Sequence, residues 1–301
     1  MAATKISIGH DLWIGYAGVF VAKERGFFSK RGIDVQLKSF SNPGDTLPAL
    51  AAGKLDVGLT TLHNLALLAG AADADVVAIY LIDSSNGADA VVAKPEIASV
   101  AELKGHSVAA TIGEVNHMLL LSALESAGLS ESDIKLVDMS ADDGGAAFIA
   151  GKVDAAVTWE PWVTKAVAAG GRVVYSSAKI PDTILDSVVV PRAALEKRGS
   201  MLHDLVGAID EGVTFVREHP EQAAALIAKH LSVPPAEVAG MLAGDKIYDL
   251  ADNRRLLGPD GAGFHSMQRV IDFVSKRKLT KKPLTPGALL VPHLPAPPSA
   301  P

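Results

Sequence analysis

Ala52-Gly53-Lys54-Leu55-Asp56 and Ala150-Gly151-Lys152-Val153-Asp154 differ at one position, and each is followed four residues after its Asp by a Thr, Thr60 and Thr158. Working outward, the elements before each motif fall in the same order. Residues 6–9 read as a strand, followed by a loop with Trp13, a helix over 16–24 stopped by Gly26, a strand over 35–40 and a helix over 46–52. Residues 107–111 start the series again, with a loop carrying Glu114, a helix over 117–127 stopped by Gly128, a strand over 134–139, the loop Asp142-Asp143-Gly144 and a helix. A Gly closing a helix and an Asp opening the next turn occur in any α/β protein. The matching order of elements makes the pair a repeat instead.

Strands alternating with helices make parallel sheets covered on both faces, and ligands bind beyond the carboxyl ends of such strands. In the first unit those ends deliver His10-Asp11-Leu12-Trp13, Ser41-Asn42-Pro43-Gly44 and Thr60-Thr61-Leu62-His63. In the second they deliver residues 112–117, residues 140–144 and Thr158-Trp159-Glu160-Pro161-Trp162. Facing each other, these loops line one cleft. Residues 76–93, interrupted by Asp83-Ser84-Ser85-Asn86-Gly87, and residues 184–191, with Asp186-Ser187, read as crossings between lobes whose polar interruptions sit at the hinge. This predicts an α/β fold with residues 1–82 and 187–280 as a discontinuous first lobe and 83–186 as the second. Residues 201–276 read as helices, and the prolines from Pro283 to Pro301 predict an irregular tail over 281–301.

The chain has 301 residues, enough for two domains at about 150 residues each. Its net charge of −6, with no block of like charge, argues against a nucleic-acid or anionic-membrane surface. The absence of cysteine excludes a thiolate nucleophile, a disulfide frame and a Cys-ligated metal. Residues 1–5 run directly into an alternating apolar stretch without the h-region of a signal peptide, and no window is long and apolar enough to span a membrane.

No dinucleotide, P-loop, zincin or nucleophile-elbow motif is present. The strand-end loops carry Asp11, Asp83, Glu114, Glu160 and Asp186 with His10, His63 and His117, and no Lys or Arg. A cation or zwitterion meets carboxylates there, whereas an anion depends on helix N-termini at Thr60-Thr61 and residues 41–46. Against this stands the ordinary use of loop acids: Asp45 and Asp142 read as helix caps, and Asp11 or Asp83 as turn braces. Trp159 and Trp13 suit stacking or cation–π contact with a small ligand, while Trp162 reads as core beneath its helix. Glu114 and His117, three apart, are the only pair with metal-ligand spacing, and the reading carries no metal and no cofactor.

Gly15-Tyr16-Ala17, Ala22-Lys23-Glu24-Arg25-Gly26-Phe27-Phe28, Gly32-Ile33-Asp34-Val35, residues 51–58, Leu103-Lys104-Gly105 and residues 154–161 together resemble the sulfonate/taurine/nitrate-type solute-binding proteins of ABC importers over residues 6–220. The resemblance implies a two-lobed periplasmic-binding-protein fold (type II), two Rossmann-like lobes joined by two hinge crossings. It implies no enzymatic activity, a periplasmic or lipid-anchored extracytoplasmic location, and a monomer that docks on a membrane permease. Carried over position by position, it places the ligand on Trp13, Thr60, Thr61, His63, Asp83, Ser84, Asn86, Glu114, Asn116, His117, Trp159, Glu160 and Asp186. In taurine binders an acid matching Asp186 helps to hold the amine. The excess of acids points to a small nitrogen-containing solute, an amine, guanidinium or taurine-like zwitterion, with a plain sulfonate or nitrate as the alternative. The thiamin-pyrimidine synthases, similar in fold, use a Cys-rich motif that this chain lacks.

Overall fold

A computed structural model describes residues 3–40, 43–71, 74–258 and 260–294; Ser41, Asn42 and the last seven residues of the expected tail lie outside it. The strands are β1 (Thr4–His10), β2 (Ile33–Ser39), β3 (Val57–Thr61), β4 (Val76–Ser85), β5 (Asp89–Ala93) and β6 (Ser107–Ala110). They continue as β7 (Lys135–Asp138), β8 (Ala155–Trp159), β9 (Arg172–Ser176), β10 (Leu185–Pro191) and β11 (Asp245–Ile247). Six form one sheet in the order β11-β4-β10-β3-β1-β2, and five form another in the order β7-β6-β8-β5-β9. In each sheet the first strand of a repeat pairs in parallel with two neighbours: β1 with β2 and β3, β6 with β7 and β8.

The chain divides into two compact units, one of Met1–Ser84, Ile184–Ala239 and Lys246–Pro301, the other of Ser85–Thr183 and Gly240–Asp245. Asp83, Ser84 and residues 184–186 therefore group with the first unit. The cause is the β4–β10 ladder, which, past an irregularity between Asp186 and Ser187, still pairs Asp83↔Asp186 and Ser84↔Leu185, so the first three residues of the polar interruption read as a hinge, Asp83 to Ser85, lie inside a strand. The excursion Gly240–Asp245 carries no signal in the sequence; the Gly244 carbonyl accepts from the Asn86 and Ala88 N–H groups.

The repeated motif has a physical reason. Gly53 and Gly151 both adopt left-handed backbone, at φ 68° and 72°, which closes the preceding helix at little cost for a residue without a Cβ. The Asp that follows then clasps the first strand of its own repeat. Asp56 Oδ2 accepts from Ser7 N and Ser7 Oγ, both at 2.9 Å, while Asp56 N donates to Ser7 Oγ at 3.1 Å. Asp154 Oδ2 accepts from Ser107 N at 3.0 Å and Ser107 Oγ at 2.8 Å, while Asp154 N donates to Ser107 Oγ at 2.9 Å. Arg198 adds a 2.6 Å ion pair to Asp56, and Lys94 one of the same length to Asp154.

The stretch read as an irregular tail is built into the first unit over its described part. Its prolines are interleaved with apolar residues: Pro286–Leu289 is a short helix, Leu289 and Leu290 are buried in the core beside Leu65, Ala78 and Val270, and Val291 N donates to the Ala78 carbonyl. Among the described residues no helix is long and apolar enough to cross a membrane.

Candidate functional site

In the first unit the carboxyl ends of the strands gather one set of buried polar groups. Asp186 on β10 lies directly opposite Asp83 on β4 and Thr61 on β3, so the three side chains share one face of the sheet. The loop after β1 folds over this row. Trp13 Nε1 donates to Asp83 Oδ2 at 2.8 Å, and the Tyr16 hydroxyl donates to Asp186 Oδ1 at 2.8 Å. Gly15 between them has no room for a side chain, since a Cβ would sit 1.7 Å from Asp83 Oδ2. Burial, followed by the charges of Asp11, Asp186 and Asp83, pushes the Tyr16 hydroxyl well above the usual phenol range. Three acids thus converge on one buried ring.

Beside the acids lies the start of the helix Leu62–Ala71. Thr61 Oγ1 accepts from Asn64 N at 3.1 Å, which caps the helix and leaves the hydroxyl proton available as a donor. The Thr60 carbonyl accepts from Ser187 Oγ, and His63 is buried with its ring tilted on Phe273 at 5.6 Å. Asn64 is 3% exposed, and neither amide atom has a hydrogen-bond partner among the described residues. Thr46 Oγ1, in the helix after β2, is likewise buried without one.

In the second unit the expected site residues are largely engaged with their own surroundings. The Glu160 carboxylate accepts from Thr164 N at 3.0 Å and Thr164 Oγ1 at 2.9 Å, holding the start of the helix Trp162–Ala168. His117 bonds Glu131 through Nε2 at 2.7 Å and accepts from Gly113 N through Nδ1. Trp159 is buried and donates to Asp142 Oδ1 at 3.1 Å. Trp162, read as core, is instead partly exposed: it packs on Gly145 of the helix Ala141–Ile149, with Lys165 Nζ over its ring at 4.6 Å. Asp142 is not a helix cap either: Ser140 Oγ accepts from Asp143 N and fills that role, and the Asp142 carboxyl, pushed up by burial, takes the indole N–H groups. Glu114 precedes the helix Val115–Ser126 as its N-cap residue, and Asn116 lies buried in its first turn. Asn86 sits in the turn between β4 and β5, where its N–H donates to Gly244.

Two functional candidates escaped the sequence reading. Tyr16 was masked by an apolar context, although its place three residues after Trp13 puts both on one turn. Asp89 opens the otherwise apolar β5; it is 3% exposed, and burial, with a further push from Glu160 and opposed by the Ser85 hydroxyl, raises its carboxyl to about 7. Among the described residues the buried side chains include Asp11, Asp83, Asp89, Glu160 and Asp186 but no Lys or Arg.

A family profile described as "NMT1/THI5 like" matches residues 13–223. The "Putative aliphatic sulfonates-binding protein" of Escherichia coli (strain K12) is 31% identical over 232 residues, covering 76% of this chain and 72% of that protein. The crystal structure of the periplasmic aliphatic sulphonate binding protein SsuA from Escherichia coli superposes with a TM-score of 0.80 at 27% identity, covering 95% and 92% of the two chains. The alkanesulfonate-binding protein SsuA from Xanthomonas axonopodis pv. citri, bound to MOPS, gives a TM-score of 0.81 at 21% identity over 97% and 99%, a likeness of fold. The architecture is the periplasmic-binding-protein fold.

Proposed function

Because the chain belongs to the NMT1/THI5-like family, we propose that it is the solute-binding component of an ABC importer and that its solute is a small zwitterion, a positive nitrogen group linked to a sulfonate. The observation that carries this reading is the row Thr61, Asp186, Asp83 across three adjacent strands. The acids hold the nitrogen; the Thr61 hydroxyl and the first turn of the helix Leu62–Ala71 face the sulfonate. Neighbouring strands are about 4.8 Å apart, which is the scale of the charge separation in a two-carbon aminosulfonate. The likeness to sulfonate-binding relatives supports the anionic end, and the buried acids support the cationic one. A plain sulfonate, the reading the relatives favour alone, leaves those acids without a ligand role.

The protein works outside the cytoplasm, hands its solute to a membrane permease and performs no chemistry on it. Calorimetric titration with taurine, ethanesulfonate and ethylamine tests this. Taurine binds tightest, and Asp186→Asn weakens it by roughly tenfold or more, the loss of a charge-assisted hydrogen bond of about 1.5–3 kcal/mol, while ethanesulfonate is unaffected. Ethanesulfonate binding as tightly as taurine to both proteins refutes the zwitterion, and turnover of any bound solute refutes the role of pure binder.

A further inference from the structure

We propose that the basic turn over residues 276–282, on the first unit, is a docking surface for anionic phospholipid headgroups. The nature of the solute does not enter; only the nearness of a membrane is taken from the proposed function.

One block of like charge departs from the even distribution expected from the sequence. Lys276-Arg277-Lys278-Leu279-Thr280-Lys281-Lys282 holds five cations, and no Asp or Glu occurs from Phe273 to Pro301, so the first 272 residues carry 23 basic against 34 acidic residues. The acidic excess of that remainder keeps it away from an anionic surface and leaves this turn to make the approach. All five cationic residues are exposed. Among the described residues no acid pairs with Lys276, Lys278 or Lys281, and Asp272, the nearest acid along the chain, accepts from Gln268 Nε2 at 2.8 Å.

The backbone presents these charges from a fixed turn. The helix Ala262–Lys276 closes with Lys278 N donating to the Ser275 carbonyl at 2.9 Å and Leu279 N to the Val274 carbonyl at 2.8 Å, the two bonds of a Schellman motif. Its left-handed position, at φ 57°, is where glycine costs least, yet Lys278 holds it. Cations at a helix C-terminus complement the helix dipole, which accounts for Lys276 and Arg277; Lys278, Lys281 and Lys282 lie past the helix. Beyond the motif the chain is pinned. Lys281 N donates to the Gly70 carbonyl at 2.9 Å, a Cβ on Gly70 would meet Thr280 Cγ2 at 2.3 Å, and Leu279 and Leu284 pack on the core. A protein partner draws most of its affinity from an apolar or aromatic centre. The large apolar side chains that stand exposed among the described residues, Ile112, Ile149, Val167 and Val173, all belong to the second unit, and the Phe273 ring is covered by the Arg277 guanidinium at 5.2 Å. Cations without such a centre fit a diffuse array of phosphates.

Cosedimentation of the full chain with vesicles tests the surface, using an equal mixture of phosphatidylglycerol and phosphatidylcholine or phosphatidylcholine alone. Wild-type protein binds the anionic vesicles at about 0.02 M salt, leaves them at about 0.5 M and ignores the neutral ones. The triple variant Lys276→Gln, Lys278→Gln, Lys281→Gln lowers the partition coefficient by roughly a hundredfold, about fivefold for each lysine. A control with the same change of net charge at exposed positions of the second unit, Lys135→Gln, Lys152→Gln, Lys179→Gln, stays within about threefold of wild type. Lys278→Gly lowers the partition coefficient about fivefold while raising the melting temperature, since left-handed backbone suits glycine. A lowered melting temperature in Lys278→Gly with vesicle binding unchanged makes that lysine structural and counts against the surface. Equal losses in the two triple variants, or equal binding to both kinds of vesicle, overturn it. So does wild-type protein that ignores the anionic vesicles at low salt; if it then binds polyglutamate and the first triple variant does not, the turn serves an acidic protein partner instead. Taurine titration reads the solute site separately: the first triple variant binds taurine as wild type does, and failure of the vesicle test leaves the solute-binding reading intact.

Discussion

Replacing Asp89 by Asn should change how stability depends on pH in a way no surface carboxylate can reproduce. The side chain is buried in a strand of Ala and Val, and its carboxyl is raised from 3.8 to about 7. Native protein therefore holds a proton over the window from about pH 4 to about pH 7 that the unfolded chain has released, and stability falls as pH rises through it. A tenfold difference in proton affinity between the folded and unfolded chains is worth about 1.4 kcal/mol, so a carboxyl raised this far removes about 4 kcal/mol of stability between about pH 4 and pH 8. Asparagine mimics the protonated acid and does not ionise. Wild type and variant should match near pH 4, and the variant should lead by a growing margin up to about 4 kcal/mol at pH 8. His10 is shifted the other way, its pKa lowered by burial, and destabilises the fold as pH falls below about 6.5. It is common to both proteins and cancels in the difference. Urea unfolding at pH 4.5, 6.0 and 7.5 measures the margin. Parallel curves, or a variant that is the weaker protein at pH 7.5, would refute a buried, proton-holding Asp89.

Other substitutions test the remaining contacts. Tyr16→Phe removes the hydroxyl that donates to Asp186 and should cost about 1–3 kcal/mol in urea unfolding. Taurine affinity should fall with it. Gly15→Ala drives a Cβ against Asp83 Oδ2 and Trp13 Nε1. It should lower stability by about 1–3 kcal/mol and weaken taurine binding, and an unaltered melting curve would contradict the packing of that loop. Glu160→Gln weakens the hold on Thr164 and should cost about 1 kcal/mol of stability while leaving taurine affinity within about twofold. Asp154→Asn breaks the clasp on Ser107; since the Asp154 carboxyl is held well below its usual range by Lys94 and Ser107, the wild-type advantage is present above about pH 4 and disappears as the solution is acidified below it, a trend that acid titration of both proteins would follow.

The α/β order was legible because helix and strand periods, glycine caps and the repeated motif all act within a few residues. The sequence also located the acids at the strand ends, since that rule needs only topology. What it could not resolve was which polar groups serve the chain itself. Glu160 and His117 are ionisable strand-end residues like Asp83 and Asp186, and only the positions of Thr164 and Glu131, four and fourteen residues on, reveal the local bonds they make. Asp89 and Asn64 were hidden for the opposite reason: each stands in an apolar run, and a missing partner has no sequence signature. The tail was misread because proline content was weighed without the leucines between them, which fill the core beside β4.

The two clasps explain why the internal repeat survives only in part. Asp56 and Asp154 each sit just before the start of a strand and tie it to the first strand of its repeat, so both positions answer to the same backbone geometry. Four residues on, about 13 Å along a strand at 3.3 Å per residue, the same strands end in Thr60-Thr61 and Thr158-Trp159. There the geometry demands nothing in common. One end carries Thr61 as a helix cap beside Asp186, and the other carries Trp159 on Asp142 and Glu160 on Thr164. The clasps tie the strands at their amino ends, so the carboxyl ends of the two units can differ in sequence without loosening either sheet. A clasp mutation should accordingly shift melting temperature with little change in the order of solute preference, and a strand-end mutation should reorder preference with a smaller change in melting temperature. A strand-end variant that weakens taurine and ethanesulfonate alike, in proportion to its loss of stability, would show that this separation does not hold.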